Sequence, residues 1–273
     1  MYLIPKTVNM KNQFSFNRWW MLVKKQWGEN SKLYLLGMLA IFGLMAFGFF
    51  LWVLSHGTHD QYQEVTLYFL GLIGFFIAGS VFASMLFSDL SNREKAVGWL
   101  GTPATHFEKL CCALFYALIV FNGFYILSFF VVKGIGLALL KMRMGSNHSI
   151  VYLQSFREKT TVLIKYLFII YIAVQSLYLL GSVYFSRYSF VKTTVVGLIL
   201  IVIFILYASF LQRQFLHGGN LWSFTSFHIW EEGKGRLYKL PYWIEVSVNT
   251  FAQYVWAPFF WLVTWYRLKE KQI

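Results

Sequence analysis

The chain has 273 residues, of which 58% are hydrophobic, 21% are aromatic and only 13% are charged. Soluble domains carry about a quarter charged residues, so this composition excludes an ordinary soluble enzyme, and the many aromatic residues exclude a disordered chain. A net charge of +13 would suggest nucleic-acid binding in a soluble protein, but in a membrane protein it marks cytoplasmic flanks and contacts with anionic lipid. The sequence therefore predicts a membrane protein that contacts the lipid bilayer and no nucleic acid.

Six apolar segments are long enough to cross a bilayer as helices, which takes about 20 residues each. Lys165 is the only Asp, Glu, Lys or Arg inside them. We therefore predict an all-α integral membrane protein with six transmembrane helices, in which residues 1–273 form a single transmembrane domain. The predicted spans are 33–54, 65–87, 110–132, 162–185, 193–211 and 246–266.

The distribution of basic residues predicts the orientation of these spans. The loop 55–64 contains neither Lys nor Arg. The tail before the first span contains six basic residues, namely Lys6, Lys11, Arg18, Lys24, Lys25 and Lys32. Because segments rich in Lys and Arg stay in the cytoplasm, we expect the N-terminus there, and six spans return the C-terminus to the same side.

Residues 14–27 have the pattern of an amphipathic helix. On one helical face they place the apolar side chains Phe16, Trp19, Trp20, Val23 and Trp27. The basic residues of the segment lie on the other sides. This pattern predicts an N-terminal helix that lies in the cytoplasmic interface of the membrane. A plain membrane anchor and a role in coupling to a partner both fit it.

The loop 88–109 between the second and third spans contains signals for helix ends. Its capping and breaking residues are Asn92, Gly101, Pro103, Thr105 and Glu108. Asn92 can cap a short helix that begins at Arg93, and Gly101 with Pro103 ends that helix. Thr105 and Glu108 have the spacing of a capping box at the entry to the third span. A short helix capped at both ends is stiff enough to transmit a push, although a solvated connector is also compatible with this pattern.

The segment 212–245 is too aromatic for a solvated linker. Its aromatic run consists of Trp222, Phe224, Phe227 and Trp230. We expect it to lie on the outer leaflet or to dip into it. A re-entrant element and a surface-lying amphipathic helix are equally compatible with this composition.

The sequence contains none of the common motifs for ATP or hydrolytic chemistry. Gly-x-x-x-x-Gly-Lys-Ser/Thr, His-Glu-x-x-His and Gly-x-Ser-x-Gly are all absent, which predicts no catalytic residues and no ATP hydrolysis by this chain through a phosphate-binding loop. His56, His59 and Asp60 come closest to a metal-binding set, but such spacing arises easily in a polar loop and predicts no metal site. 

Four amide side chains lie within the predicted spans: Asn122, Gln175, Asn249 and Gln253. Amides in the apolar core of a membrane usually bond to neighbouring helices. Helix packing and lining of a transport pathway both remain open for them.

The chain resembles the type-2 (exporter-class) membrane permeases of ABC transporters, in the form common among Bacteroidetes bacteria. The stretch 100–109, Leu-Gly-Thr-Pro-Ala-Thr-His-Phe-Glu-Lys, is similar to the leucine-x-x-proline-alanine-serine-x-x-glutamate-lysine stretch of that family, with Thr105 where the family more often has Ser. The basic aromatic segment before the first span, the six spans, the stretch 181–193 and the outer segment before the last span also agree with the family.

This resemblance implies a permease subunit of the bacterial cytoplasmic (inner) membrane that pairs with a second permease copy. It also implies docking on two separate ATPase subunits, which bind ATP and Mg²⁺, whereas this chain has no cofactor of its own. The residues 93–100 would form the coupling helix. Its partner-facing residues would be Arg93, Glu94, Lys95, Trp99 and Leu100, and Pro103, Thr105 and Glu108 would set the angle of the loop.

Two other classes of protein compete with this interpretation. One is a six-span scaffold or sensor-associated subunit that transports nothing, and the other is a membrane enzyme, although no acid–base pair converges in the sequence. The composition does not choose the cargo, and a homodimer and a heterodimer are equally open. The direction of transport follows only from the family.

Overall fold

The computed structural model describes residues 14–55, 64–91, 93–144, 157–185, 187–215, 226–231, 234–239 and 241–271. Apart from one short hairpin, their regular structure is helical, which confirms the predicted helical class. Five of the described helices are long and apolar enough to cross a membrane, and they overlap the first five predicted spans: Phe16–Leu54, Leu67–Met85, His106–Leu140, Leu163–Tyr184 and Ser189–Tyr207. Several such helices indicate a multi-pass membrane protein.

The described residues form a series of helices along the chain. In order they are α1 (Phe16–Ser55), α2 (Glu64–Met85), a 3₁₀ turn (Ser88–Ser91), α3 (Arg93–Leu100), α4 (His106–Leu114), a π-helical segment (Phe115–Val120), α5 (Phe121–Met144), α6 (Arg157–Tyr184), α7 (Ser189–Phe215), α8 (Tyr242–Tyr254) and α9 (Trp256–Glu270). The strands β1 (Ser226–Glu231) and β2 (Lys234–Lys239) lie between α7 and α8.

The predicted interfacial helix and the first span are not separate elements, because α1 runs without a break through both. Gly28 is the only strong helix breaker at the junction, and one Gly costs about 1 kcal/mol in a helix, which the neighbouring turns can absorb. The side chain of Asn30 donates to the carbonyl oxygen of Gln26 at 3.4 Å and reinforces this turn. At 40 residues, α1 is about 60 Å long, twice the hydrocarbon thickness of a bilayer.

The third predicted span, 110–132, is longer at both ends than expected. The segments α4, Phe115–Val120 and α5 follow one another directly, so that helical backbone continues from His106 to Met144. The π-helical turn in the middle is a rare geometry that often lies at functional sites. It connects α4 to the apolar helix α5.

The chain divides into two compact units. The first contains Met1–Gly79, Asn92–Leu153 and Thr264–Ile273. Within it, α1 packs against α4 and α5. One buried apolar cluster of this unit consists of Phe49, Trp52, Val53, Leu67, Val132 and Leu140.

The helices α2 and α5 also pack closely within the first unit. The hydroxyl of Tyr125 donates to the carbonyl oxygen of Gly71 at 2.7 Å. A Cβ atom at Gly71 would overlap the ring of Phe129. The missing side chain at Gly71 therefore permits the contact between these helices.

The second unit contains Ser80–Ser91 and Gln154–Val263. Its helices α6 and α7 form an antiparallel pair in which the rings of Tyr178 and Phe190 stack with centroids 5.4 Å apart. The hydroxyls of Tyr178 and Thr194 are hydrogen-bonded at 2.8 Å. A Cβ atom at Gly181 would overlap the side chain of Thr193, so the close approach of the two helices requires glycine there.

The sixth predicted span, 246–266, is divided into α8 and α9. Pro258 explains the division, because it has no N–H to donate to the carbonyl oxygen of Tyr254, four residues earlier. Val255 keeps helical dihedral angles, and its N–H donates to Phe251 at 3.1 Å. The interruption therefore affects a single turn.

Part of the segment 212–245 forms two strands, whereas its composition leaves a re-entrant element and a surface-lying amphipathic helix open. The strands β1 and β2 are antiparallel, with Ser226 opposite Lys239 and Glu231 opposite Lys234. Their aromatic and β-branched residues favour strands. The amphipathic-helix alternative is therefore wrong for 226–231 and 234–239, while 216–225 lies outside the described residues. The position of the segment relative to the outer leaflet stays a prediction.

Candidate functional site

The helix α3 has the bounds that the capping pattern predicts, Arg93–Leu100. The backbone N–H of Gly101 donates to the carbonyl oxygen of Val97 at 2.9 Å. The hydroxyl of Thr102 donates to the carbonyl oxygen of Gly98 at 3.1 Å. These bonds close the C-terminal end of α3, so that it is a defined helix of eight residues between α2 and α4.

The predicted capping box at the start of α4 is confirmed. The N–H of Glu108 donates to the hydroxyl oxygen of Thr105 at 3.2 Å, and the N–H of Thr105 donates to Oε2 of Glu108 at 2.9 Å. Pro103 lies just before this box and is exposed. Its fixed φ and missing N–H prevent α3 from continuing into α4.

The same glutamate also binds the start of α1. Oε1 of Glu108 accepts the backbone N–H of Ser15 at 2.8 Å and forms an ion pair with Nη2 of Arg18 at 3.0 Å. Ser15 immediately precedes α1, where backbone N–H groups lack partners within the helix. One carboxylate therefore binds the N-terminal ends of two helices that are 90 residues apart in sequence.

The burial of Glu108 makes these contacts energetically important. Its side chain is 0% exposed, whereas that of Arg18 is 30% exposed. A buried carboxylate is costly unless hydrogen bonds and a cation replace its water. Two backbone donors and one guanidinium do so here, and the positive ends of both helix dipoles favour the negative charge. We call Ser15, Arg18, Thr105 and Glu108 the helix-start cluster.

Aromatic side chains extend this contact along α1. Three ring pairs and one hydrogen bond join α1, together with the preceding Phe14, to the segment 107–116. The ring centroids are 6.0 Å apart for Phe14 and Phe107, 5.5 Å for Trp19 and Phe115, and 5.4 Å for Tyr34 and Tyr116. The hydroxyl of Tyr116 donates to the carbonyl oxygen of Val23 at 2.8 Å. Tyr116 belongs to the π-helical segment and is 2% exposed. The N-terminal part of α1 is thus packed against protein on one side.

Two lysines connect the end of α3 to its neighbours. Nζ of Lys25 donates to the hydroxyl of Thr102 at 3.0 Å. Nζ of Lys109, whose side chain is 2% exposed, lies 4.7 Å from the ring centroid of Trp99. This is within the range of a cation–π interaction. A displacement of α3 would therefore act on α1 through Lys25 and on α4 through Lys109.

The structure describes only part of the predicted partner-facing set. Trp99 is half-buried and contacts Lys109. The side chains of Arg93, Glu94, Lys95 and Leu100 lie outside the described residues, as does Asn92, the predicted cap. Their assignment to a partner surface stays a prediction.

The predicted intramembrane amides belong to both units. Asn122 is buried in the first unit. In the second unit Gln175 is 2% exposed and donates from Nε2 to the hydroxyl of Tyr171 at 2.7 Å. Gln253 lines an open groove of about 340 Å³ together with Trp256, Phe260 and aliphatic residues of α6. The side chain of Asn249 lies outside the described residues.

Arg18 and Ser15 are the site residues that sequence reasoning missed. Glu108 and Thr105 are three residues apart, so their capping box is a local pattern. Arg18 has no comparable signal, because its partner is 90 residues away and its position among aromatic residues also fits an interfacial helix. A search for lone carboxylates near helix starts could have identified Glu108 as a candidate partner for a basic residue. It could not have identified α1 as the helix that Glu108 binds.

Within the part of the chain that the structure describes, no group of three or more His, Cys, Asp or Glu residues is arranged to hold a metal ion. The residues His56, His59 and Asp60 lie outside that part. No protein-family model, curated protein or solved structure matches the chain.

Proposed function

We propose that this chain is the membrane-spanning permease subunit of an ABC exporter and that α3 is its coupling helix. The observation that supports this proposal best is the helix-start cluster. The buried Arg18–Glu108 ion pair and the Thr105–Glu108 capping box lie at the start of α4, a few residues after the end of α3. A connector that only bridges two spans would not need such fixation.

The contacts around α3 provide a route for a mechanical signal. A push on α3 reaches α4 through Lys109 and the loop 101–105, and it reaches α1 through Lys25 and Glu108. Because α4 continues through the π-helical segment into α5, movement of α4 tilts the apolar helix that follows. Closure of a partner against α3 would thereby open a path for cargo to one side of the membrane.

The energy for this movement comes from a separate subunit in this proposal. The sequence has no phosphate-binding loop, so ATP and Mg²⁺ bind to a partner ATPase. Six spans, with α8 and α9 together as the sixth, place both termini in the cytoplasm of a bacterial cell, and a second permease copy completes the pathway in the inner membrane. Asn122, Gln175 and the amides of α8 then line the pathway or hold its helices together.

The proposal is tested by a variant with Arg93, Glu94 and Lys95 all replaced by Ala. The full chain and its co-purified ATPase are reconstituted together, and binding is measured by titration. We expect binding to weaken by about tenfold or more, because a factor of ten corresponds to a total loss of about 1.4 kcal/mol, which one or two central interface residues can supply. Normal binding of the ATPase would contradict the proposal.

A control removes basic residues from a different short loop. Arg187 and Lys192 are both exposed in the second unit, so the variant with both replaced by Ala should bind the ATPase as the native chain does. Equal losses in both variants would indicate a general charge effect and would count against α3 as the docking helix. Capture of a partner that is not an ATPase would favour the alternative function, a six-span scaffold or sensor-associated subunit that transports nothing.

A further inference from the structure

The start of α1 has an outer side that the helix-start cluster does not use. Trp19 packs against Phe115, and Leu22 and Val23 are buried. In contrast, Trp20 is 42% exposed and Trp27 is 40% exposed. The apolar face predicted for 14–27 therefore has two parts, of which one packs against protein and the other, with Trp20 and Trp27, is exposed. The exposed part needs another covering.

Two exposed lysines lie on this outer side, two helical turns apart. Lys24 and Lys32 are both exposed, and Gly28 lies midway between them. Residues four apart are neighbours on a helix surface, so these three positions form one line of about 12 Å. A Cβ atom at Gly28 would meet nothing within 4 Å, so the helix surface between the two lysines is open.

Neither lysine has a carboxylate partner among the described residues. The nearby carboxylate of Glu29 pairs with Lys25 at 3.7 Å instead. Nζ of Lys24 lies 5.9 Å from the ring centroid of Trp20. The ammonium group of Lys24 therefore lies on the side of the exposed indole of Trp20, and neither lysine is neutralised by a carboxylate of the described residues.

The same side of α1 continues directly into an apolar surface. One and two turns beyond Lys32, Leu35, Leu36 and Leu39 are 57%, 71% and 71% exposed. Cations and tryptophan next to exposed leucines are typical of the depth at which lipid headgroups meet acyl chains. An acidic protein would match the lysines but would leave the leucines uncovered.

We infer that α1 binds an anionic phospholipid, with the headgroup phosphate between Lys24 and Lys32 above Gly28. The acyl chains lie along Leu35 and Leu39, and Trp27 borders the headgroup. The single negative charge of the phosphate is attracted by both ammonium groups, and the missing side chain at Gly28 lets the phosphate approach the helix backbone. This site does not depend on the proposed transport function.

The test is native mass spectrometry of the delipidated full chain, titrated with phosphatidylglycerol and, separately, with phosphatidylcholine of the same acyl chains. We expect phosphatidylglycerol to bind more tightly. Each ammonium group near a headgroup contributes about fivefold to affinity for anionic lipid, so the K24Q/K32Q variant should bind phosphatidylglycerol about 25-fold more weakly. The control variant R187Q/K192Q removes two exposed cations elsewhere and should keep native affinity.

A second variant tests the geometry without changing the charge. Gly28→Leu covers the open helix surface between the two lysines and raises helix propensity, so α1 stays folded. It should lose the preference for phosphatidylglycerol although both lysines remain.

The inference is overturned if K24Q/K32Q or Gly28→Leu keeps the native preference. It is also overturned if inorganic phosphate displaces phosphatidylglycerol, which would indicate a site for a free anion. Binding of an acidic protein through these lysines, with no lipid preference, would overturn it as well.

Discussion

Replacement of Glu108 by Gln keeps the size of the side chain but removes its charge and one of its two acceptor oxygens. In the native protein Oε1 accepts from Ser15 and Arg18, and Oε2 accepts from Thr105. An amide places an NH₂ group where one of these oxygens lies. In either orientation, at least one buried donor then faces another donor.

The expected loss of stability follows from the contacts that are broken. A hydrogen bond to a charged group contributes about 1.5–3 kcal/mol, and loss of an N-terminal cap costs about 1 kcal/mol. Arg18 is 30% exposed, so water compensates part of the lost ion pair. We therefore expect E108Q to lower the free energy of unfolding by about 2–3 kcal/mol.

The assay is reversible unfolding of the full chain in mixed detergent micelles, followed by tryptophan fluorescence. Glu270 provides a matched control, because it pairs with Arg267 at 2.5 Å but its side chain is 61% exposed. Glu270→Gln should cost no more than about 1 kcal/mol. A double-mutant cycle of E108Q with Arg18→Gln should give a coupling energy of about 1 kcal/mol or more.

Two results would refute this reasoning. One is an E108Q variant that is as stable as the Glu270→Gln control. The other is additive behaviour of E108Q and Arg18→Gln, which would mean that the two side chains do not depend on each other.

Three further predictions concern packing. Tyr116→Phe loses the hydroxyl bond to α1 and should lower the free energy of unfolding by about 1 kcal/mol in the same assay, and an unchanged stability would refute the importance of that bond. Gly181→Ala should cost about 1–3 kcal/mol because its Cβ overlaps Thr193, and addition of Thr193→Ala should restore part of the loss, whereas purely additive losses would argue against the overlap. Pro258→Ala supplies an N–H for the carbonyl oxygen of Tyr254, so that amide should be protected from hydrogen exchange, and rapid exchange there would contradict the proline explanation of the break.

The local features of the site could be predicted from the sequence. The bounds of α3 and the Thr105–Glu108 capping box follow from residues within a few positions of one another. The ion pair between Arg18 and Glu108 could not be predicted, since its partners lie in different helices. Only the packing of α1 against α4 brings them together.

Two of the differences between the predicted and the observed fold have a related cause. The composition of 14–27 indicates an interface, but it does not indicate where a helix ends, and the junction at Gly28 lacks a proline that would end it. The aromatic run before α8 fits a helix by composition, although the part of it that the structure describes, 226–231, pairs as β1 with β2. The pairing depends on a second strand that contains fewer aromatic residues and gives a weaker signal.

The central claim is that this chain acts as the membrane subunit of an ATP-driven exporter. It is tested most directly by extraction of the protein from its native membrane in several mild detergents, followed by mass spectrometry of what co-purifies. The proposal predicts a soluble subunit with a Gly-x-x-x-x-Gly-Lys-Ser/Thr loop in about equal copies. Recovery of the chain alone, or with a partner that lacks this loop, in every detergent would contradict it.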